Sequence, residues 1–295
     1  MLSARCRIPR TRSFGLKSQK RDSAQFRVMN KTNNNVMIEN PNPRNWRALQ
    51  VGVCRLLNEI GLAAETGKIV DTPRGKVEID VFAVDEKSVD KIKYIVECKN
   101  WAKPVPQAVV HSFTTVMHEV GANMGFIVSK RGLQVGATQY TQHTNITGLS
   151  YAEFQWRYFK VWYERCFVPK IGDAVGPLSE YVEPFNYHRD EKVKNLSASK
   201  RQKYFGLLKK YQPFGMTMAF FEFPRYSWHF SMVTEAPESI AKIKETIEAS
   251  LSGTYRLKST YFRDLQQEIV RLVEDVTNKF NSVFGENIFA SKYSL

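Results

Sequence analysis

The chain has 295 residues, 43% of them hydrophobic, which suits one large domain or two ordinary ones with a buried core. No apolar run has the length of a membrane span, so we expect a soluble, cytoplasmic protein without a membrane partner. The net charge of +14 favours a polyanionic partner, and four scattered cysteines without a C-x-x-C pair argue against a zinc site or a disulfide framework.

The first 40 residues hold nine basic and two acidic residues, which is half of the excess charge. They lack apolar periodicity, so residues 1–40 are predicted to be a disordered basic segment. Three interpretations stay open: a mitochondrial transit peptide, which would change the localisation, a DNA-binding arm, or a translation start at Met29 or Met37.

Residues 41–155 show a regular succession of apolar patterns. Helical spacing alternates with β-rich runs, giving the order α-β-β-α-β-α-β. This order predicts an α/β fold with a mixed sheet flanked by helices. The predicted elements are a helix at 45–60, strands at 76–84 and 92–98, a helix at 106–120, a strand at 123–130, a helix at 132–143 and a strand at 147–154.

Residues 156–295 are predicted to be a carboxyl-terminal α+β region whose role the sequence does not reveal. The aromatic run at 156–163 indicates core packing, and residues 216–233 suggest two strands around Pro224. Two amphipathic helices follow. Their apolar positions are Ile240, Ile243, Ile247 and Leu251 in one, and Leu265, Ile269, Leu272, Val276 and Phe280 in the other.

The hairpin "KVEIDVFAVDEKSVDKIKYIVECKNW" carries acidic residues inside both β-rich runs. A turn centred between Ser88 and Val89 places Asp80 opposite Glu97, and Glu78 opposite Lys99. Side chains alternate between faces, so regular strands would project all four from one side, with opposed Cβ atoms about 4.5–5.5 Å apart.

Two carboxylates at that separation repel unless a cation lies between them. A hard divalent ion such as Mg²⁺ or Mn²⁺ takes oxygen ligands and phosphate oxygens. Asp80 and Glu97 are therefore candidate metal ligands, and Lys99 beside them could hold the attacking water and balance charge on phosphorus.

A plainer interpretation competes with this one. Glu78 and Lys99 could form an ordinary cross-strand ion pair, with Asp80 and Glu97 on a solvated face. The β-branched neighbours of both acids favour central strands over an exposed ribbon.

The D…E-x-K arrangement resembles the PD-(D/E)xK nuclease superfamily, and residues 44–155 resemble its Mrr-type restriction endonuclease domain. The matching stretches are "LLNEIGL", "VEIDVFA", "YIVECKNW" and "VGANMGFIVSKRGLQVGATQYTQ". The resemblance implies a restriction-endonuclease-like fold and a Mg²⁺- or Mn²⁺-dependent endonuclease that hydrolyses double-stranded DNA in defence. It also implies Asp80 and Glu97 as metal ligands, Lys99 as the catalytic lysine, and a homodimer for cutting both strands.

Two departures keep alternatives open. The approach to the aspartate reads "RGKVEID" where the family often has glycines, which places Glu78 near the site as a possible extra ligand. Many members carry a glutamate near the start of the first helix, where this chain has Trp46 and Arg47; Glu59 and Gln107 are weaker candidates for the site. The alternatives are a structure-selective repair or junction nuclease, and a DNA-binding module with a degenerate site.

Two further stretches resemble ligand-binding motifs. "GLAAETGKIV" has the wrong glycine spacing for a phosphate-binding loop, so no NTP is expected. Residues 197–214 interleave lysines with aromatic residues, which suits either nucleic-acid contact or an amphipathic helix with a solvated basic edge.

Overall fold

Helix α1 (Trp46–Glu59) opens the folded part of the computed structural model, which describes residues 36–221 and 239–290. The Asn45 side chain caps the helix by accepting a 2.8 Å hydrogen bond from the Ala48 N–H. Leu49, Val53 and Leu56 are buried along one face, as the helical spacing predicts. The predicted helix at 45–60 is confirmed.

Five strands form one mixed sheet in sequence order. The first three are antiparallel neighbours, and the last two pairs are parallel. The predicted restriction-endonuclease-like α/β arrangement is confirmed. The strands are β1 (Ala63–Thr72), β2 (Gly75–Val84), β3 (Lys93–Lys99), β4 (Met124–Ser129) and β5 (Ile146–Ser150).

Strand β1 is the element that the sequence prediction missed. It lies at the edge of the sheet, pairs with β2 alone, and has no fully buried residue. An edge strand that packs lightly can carry polar residues such as Glu65 and Lys68, which weakens the β pattern. The glycine-containing stretch rejected as a phosphate-binding loop is part of this strand.

Helices cover both faces of the sheet. Helices α2 (Gln107–Glu119) and α3 (Val135–Thr141) contribute Phe113, Met117 and Ala137 to one buried cluster. Helix α1 and helix α4 (Tyr151–Trp162) pack in the other cluster. The two clusters share the sheet between them, as a three-layer α/β fold requires.

The predicted strand at 147–154 is too long. Strand β5 ends at Ser150, and α4 begins at the next residue. The Ser150 hydroxyl accepts from the Glu153 N–H, and the Glu153 carboxylate accepts from the Ser150 N–H at 2.6 Å. This capping box favours a helix over a continued strand.

The described carboxyl-terminal residues form helices. They are α5 (Val168–Val182), α6 (Tyr187–Lys194), α7 (Ala198–Ala219), α8 (Ile240–Ser250) and α9 (Phe262–Phe284). A π-helical turn at Tyr163–Phe167 leads into α5, which packs against α7 and α9. The two predicted amphipathic helices are confirmed as α8 and α9.

The strands predicted at 216–233 fall partly on described residues and partly outside them. Met216–Ala219 ends helix α7 instead of forming a strand. Residues 222–238, where most of the prediction falls, lie outside the described residues. Residues 198–214 lie in helix α7, with Ser197 as its cap, and the contact of this stretch with nucleic acid stays a prediction.

Buried aromatic rings join the sheet region to these helices. Phe159 and Phe167 pack edge-on against Phe262 of α9, with centroids 4.8 Å and 5.7 Å apart. Trp162 is fully buried, so the prediction of core packing for the aromatic run is confirmed. Among the described helices, none has the length and apolarity needed to cross a bilayer.

The packed part of the chain starts before the predicted boundary at residue 41. Val36 and Ile38 are buried in the core, and the Phe262 N–H donates to the Met37 carbonyl at 3.0 Å. Residues 1–35, where most of the predicted disordered segment falls, lie outside the described residues.

Candidate active site

The hairpin between β2 and β3 has the predicted register. Its pairs place Val81 opposite Val96 and Val84 opposite Lys93, and continuing this register puts Asp80 opposite Glu97. The paired ladder stops at Val81, so the two strands separate where the acidic residues begin.

Strand β2 reverses its facing at Asp80. Val81 packs in the cluster beneath α1, whereas Ile79 packs with Ile95 in the cluster beneath α2. Residues two apart in a regular strand share a face, so the alternation fails at the residue between them.

Gly67 of β1 lies at the matching position. The β1–β2 ladder pairs Thr66 with Val81 and Lys68 with Ile79, and skips the Gly67–Asp80 step without changing register. Gly67 has φ +66°, a left-handed conformation that side chains other than glycine rarely adopt. Both strands therefore reverse together at this step.

The reversal places the Asp80 carboxylate between α1 and β3. Its Oδ2 accepts a 2.7 Å hydrogen bond from the Cys98 N–H, and its Oδ1 accepts 2.6 Å from Gln50 Nε2. The prediction that Glu78, Asp80, Glu97 and Lys99 project from one face rested on regular alternation, and it is wrong for Asp80.

Glu97 and Lys99 form an ion pair, and both side chains are mostly buried. With Glu78 they line a groove of about 330 Å³ against α2. A second groove, of about 440 Å³, contains Asp80 and Lys99 together. Lys99 thus lines both grooves, one with Glu97 and the other with Asp80.

The family comparison bears on this same segment. Residues 44–156 match the Mrr_cat family model, described as a restriction endonuclease. This segment is similar to that family. The match includes Asp80, Glu97 and Lys99, it confirms the resemblance drawn from the sequence, and it supports a nuclease of the restriction endonuclease type.

The comparisons with curated proteins and with solved structures identify no function. No curated protein matches the chain. A solved structure described as "Crystal Structure of Protein of Unknown Function AF1548" aligns with 71% of this chain and 100% of its own, at 16% identity. Its TM-score of 0.31 is too low to support a shared fold.

Gln50 is a residue of the candidate site that the sequence prediction missed. It is 7% exposed and holds Asp80 from helix α1. Its position in the sequence could have revealed it. Gln50 precedes Val53 by three residues and Leu57 by seven, so this polar residue lies on the apolar face of the helix.

The weaker candidates lie elsewhere. Glu59 accepts a hydrogen bond from Trp162 Nε1 at 2.6 Å and pairs with Arg263. The side chains of Gln107 and His111 contact each other through their Nε2 atoms at 3.2 Å. Cys98 packs in the core as predicted, and burial raises the pKa of its thiol well above the ordinary value.

The side-chain oxygens of the candidate site are of the chemical type that a hard divalent ion takes. Within the described ranges, no group of three or more His, Cys, Asp or Glu residues could hold a metal. Asp80 and Glu97 supply carboxylates, and Asn100 Oδ1 is buried without a hydrogen-bond partner among the described residues. Carboxylate and amide oxygens are ligands that Mg²⁺ and Mn²⁺ prefer.

Proposed function

We propose that the chain is a metal-dependent DNA endonuclease of the restriction type. Asp80 and Glu97 would hold Mg²⁺ or Mn²⁺, and Lys99 would position the attacking water. The observation that carries the proposal is the restriction endonuclease match across the segment that contains Asp80, Glu97 and Lys99, in which Lys99 lines both the groove beside Asp80 and the groove beside Glu97.

The residues have distinct tasks in this reaction. Two hydrogen bonds fix the Asp80 carboxylate, leaving lone pairs on both oxygens at a set position. Glu97, which is paired with Lys99, would be the second carboxylate ligand of a divalent ion. The Lys99 ammonium would donate to the attacking water or to a phosphate oxygen and stabilise the charge that develops there.

A bound divalent ion supplies positive charge that activates water and neutralises the phosphate. Water adds to phosphorus, and the ester oxygen leaves as a hydroxyl. Arg44 lines the groove beside Asp80, where it can contact the DNA backbone. Cleavage of both strands needs two such sites, so the proposal includes a homodimer.

The test is cleavage of methylated and unmethylated plasmid with and without Mg²⁺ or Mn²⁺. We expect metal-dependent nicking or cutting by the full chain, and its loss in a Glu97→Ala, Lys99→Ala double variant. A Glu65→Ala, Lys68→Ala double variant is the matched control, because it removes an exposed ion pair of the same charges. Full activity in the first double variant would refute the assignment.

A further inference from the structure

Two exposed tryptophans line the groove that contains Asp80 and Lys99. Trp46 is 53% exposed and Trp101 is 43% exposed. Tryptophan is highly buried on average, and neither indole belongs to the two buried clusters of the described residues. Exposed apolar side chains gathered at a groove mark a binding surface.

Both rings are carried by the ends of regular elements. Trp46 is the first residue of α1, directly after its Asn45 cap. Trp101 follows the last residue of β3 by two positions. The rings are thus anchored by the same helix and strand that hold Gln50 and Lys99.

Cations accompany each ring. The Arg47 guanidinium lies 5.6 Å from the Trp46 ring centroid, and Lys99 Nζ lies 5.4 Å from the Trp101 centroid. Positive charge interleaved with exposed aromatic rings is the combination with which proteins bind single-stranded nucleic acid, through phosphate contacts and base stacking.

Paired DNA does not offer base faces to such rings. In a duplex each face is covered by its neighbour, and only the edges are accessible in the grooves. A side chain can stack only on a base that has left the duplex or lies in an unpaired strand. The two indoles therefore favour a substrate with unpaired bases next to the scissile phosphate.

We propose that this groove takes DNA with a single-stranded segment, on whose bases Trp46 and Trp101 stack. The inference rests on the proposed function, since it names the substrate of that same site. A protein partner is the competing occupant of an exposed aromatic surface. The neighbouring Arg44, Arg47 and Lys99 favour the polyanion.

The test measures binding without cleavage. Fluorescently labelled oligonucleotides are titrated with the full chain in EDTA: a single strand, a blunt duplex of the same sequence, and that duplex with a single-stranded tail. We expect the single strand and the tailed duplex to bind at least about tenfold more tightly than the blunt duplex.

Variants separate stacking from charge. Trp46→Ala and Trp101→Ala should each weaken single-strand binding about tenfold, whereas the Trp→Phe variants should keep most of it. Phe185→Ala is the matched control, because Phe185 is an exposed aromatic residue, at 91%, outside the groove. Its binding should equal that of the wild type.

The outcomes distinguish the two proposals. Equal affinity for single strand and blunt duplex, or unchanged binding after both Trp→Ala substitutions, would overturn the inference, even if plasmid is cut with Mg²⁺. Selective binding of the single strand without cleavage under any divalent ion would support the stacking and overturn the proposed catalysis.

Discussion

Gln50 of α1 donates a 2.6 Å hydrogen bond to the Asp80 carboxylate of β2. The contact joins helix α1 to strand β2 at the residue where the side-chain alternation of β2 reverses. The group that α1 presents to Asp80 is therefore a neutral amide donor and not a second carboxylate. One oxygen of Asp80 is thereby oriented by the helix and the other by the Cys98 backbone.

Replacing Gln50 by Leu should reduce plasmid cleavage at least about tenfold, because a hydrogen bond to a charged group contributes about 1.5–3 kcal/mol. Gln212→Leu is the control: Gln212 donates to the Val182 carbonyl at 3.0 Å in the helical region. It should lower the urea midpoint while leaving cleavage per folded molecule intact. Equal cleavage by both variants would contradict the role of Gln50.

Gly67→Ala should lower both stability and cleavage. A left-handed conformation costs an L-residue about 1–2 kcal/mol, and a Cβ at Gly67 would lie 3.2 Å from Glu78 Oε1. Gly75→Ala is the comparison, because Gly75, the first residue of β2, also has a positive φ, +114°, with nothing within 4 Å of its Cβ. It should cost stability alone. A similar loss of cleavage in both variants would show that the reversal at Asp80 does not matter.

Arg263→Met should lower the free energy of unfolding by about 3–5 kcal/mol, measured by urea titration. Arg263 is buried and pairs with Glu39 at 2.7 Å and with Glu59, so its loss removes the cation paired with Glu59 and leaves Glu39 with Arg55 alone. Arg256→Met, which removes an exposed partner of Glu248, should have a much smaller effect. Comparable losses in the two variants would contradict this account.

Glu268 should contribute stability that depends on pH. Partial burial raises the pKa of its carboxyl, but hydrogen bonds from the Ser259 hydroxyl and from the Lys258 and Ser259 N–H groups outweigh this, so its pKa is lowered. The contribution is then complete above the unfolded pKa of about 4.3 and lost as pH falls through the folded value.

Thermal midpoints of wild type and Glu268→Gln, measured from pH 7 to pH 3, test this. The wild type should be the more stable near pH 7, by less than about 1 kcal/mol because the side chain is partly exposed. The difference should shrink below about pH 4. A difference that grows on acidification would have the wrong sign.

The hairpin register was predictable because turn length and β-rich runs fix it locally. The reversal at Asp80 was not, because it depends on Gly67 of a strand that pairs only in the folded sheet. The capping box of Ser150 and Glu153 was visible as S-x-x-E, and reading it would have ended the last strand at the correct residue.

The pairing of Glu97 with Lys99 was predictable from the sequence, whereas the surroundings of Asp80 were not. Glu97 and Lys99 are two residues apart on one strand, so their shared face followed from alternation. The partners of Asp80 come from a helix 30 residues earlier and from the Cys98 backbone, and neither contact has a local sequence signal strong enough to name it.

Helix α1 touches the candidate site with Gln50 and the carboxyl-terminal helix with Glu59, nine residues apart on one rigid rod. Because a single helix makes both contacts, we expect loss of the Arg263–Glu59 ion pair between α9 and α1 to alter the position of the Asp80 carboxylate as well.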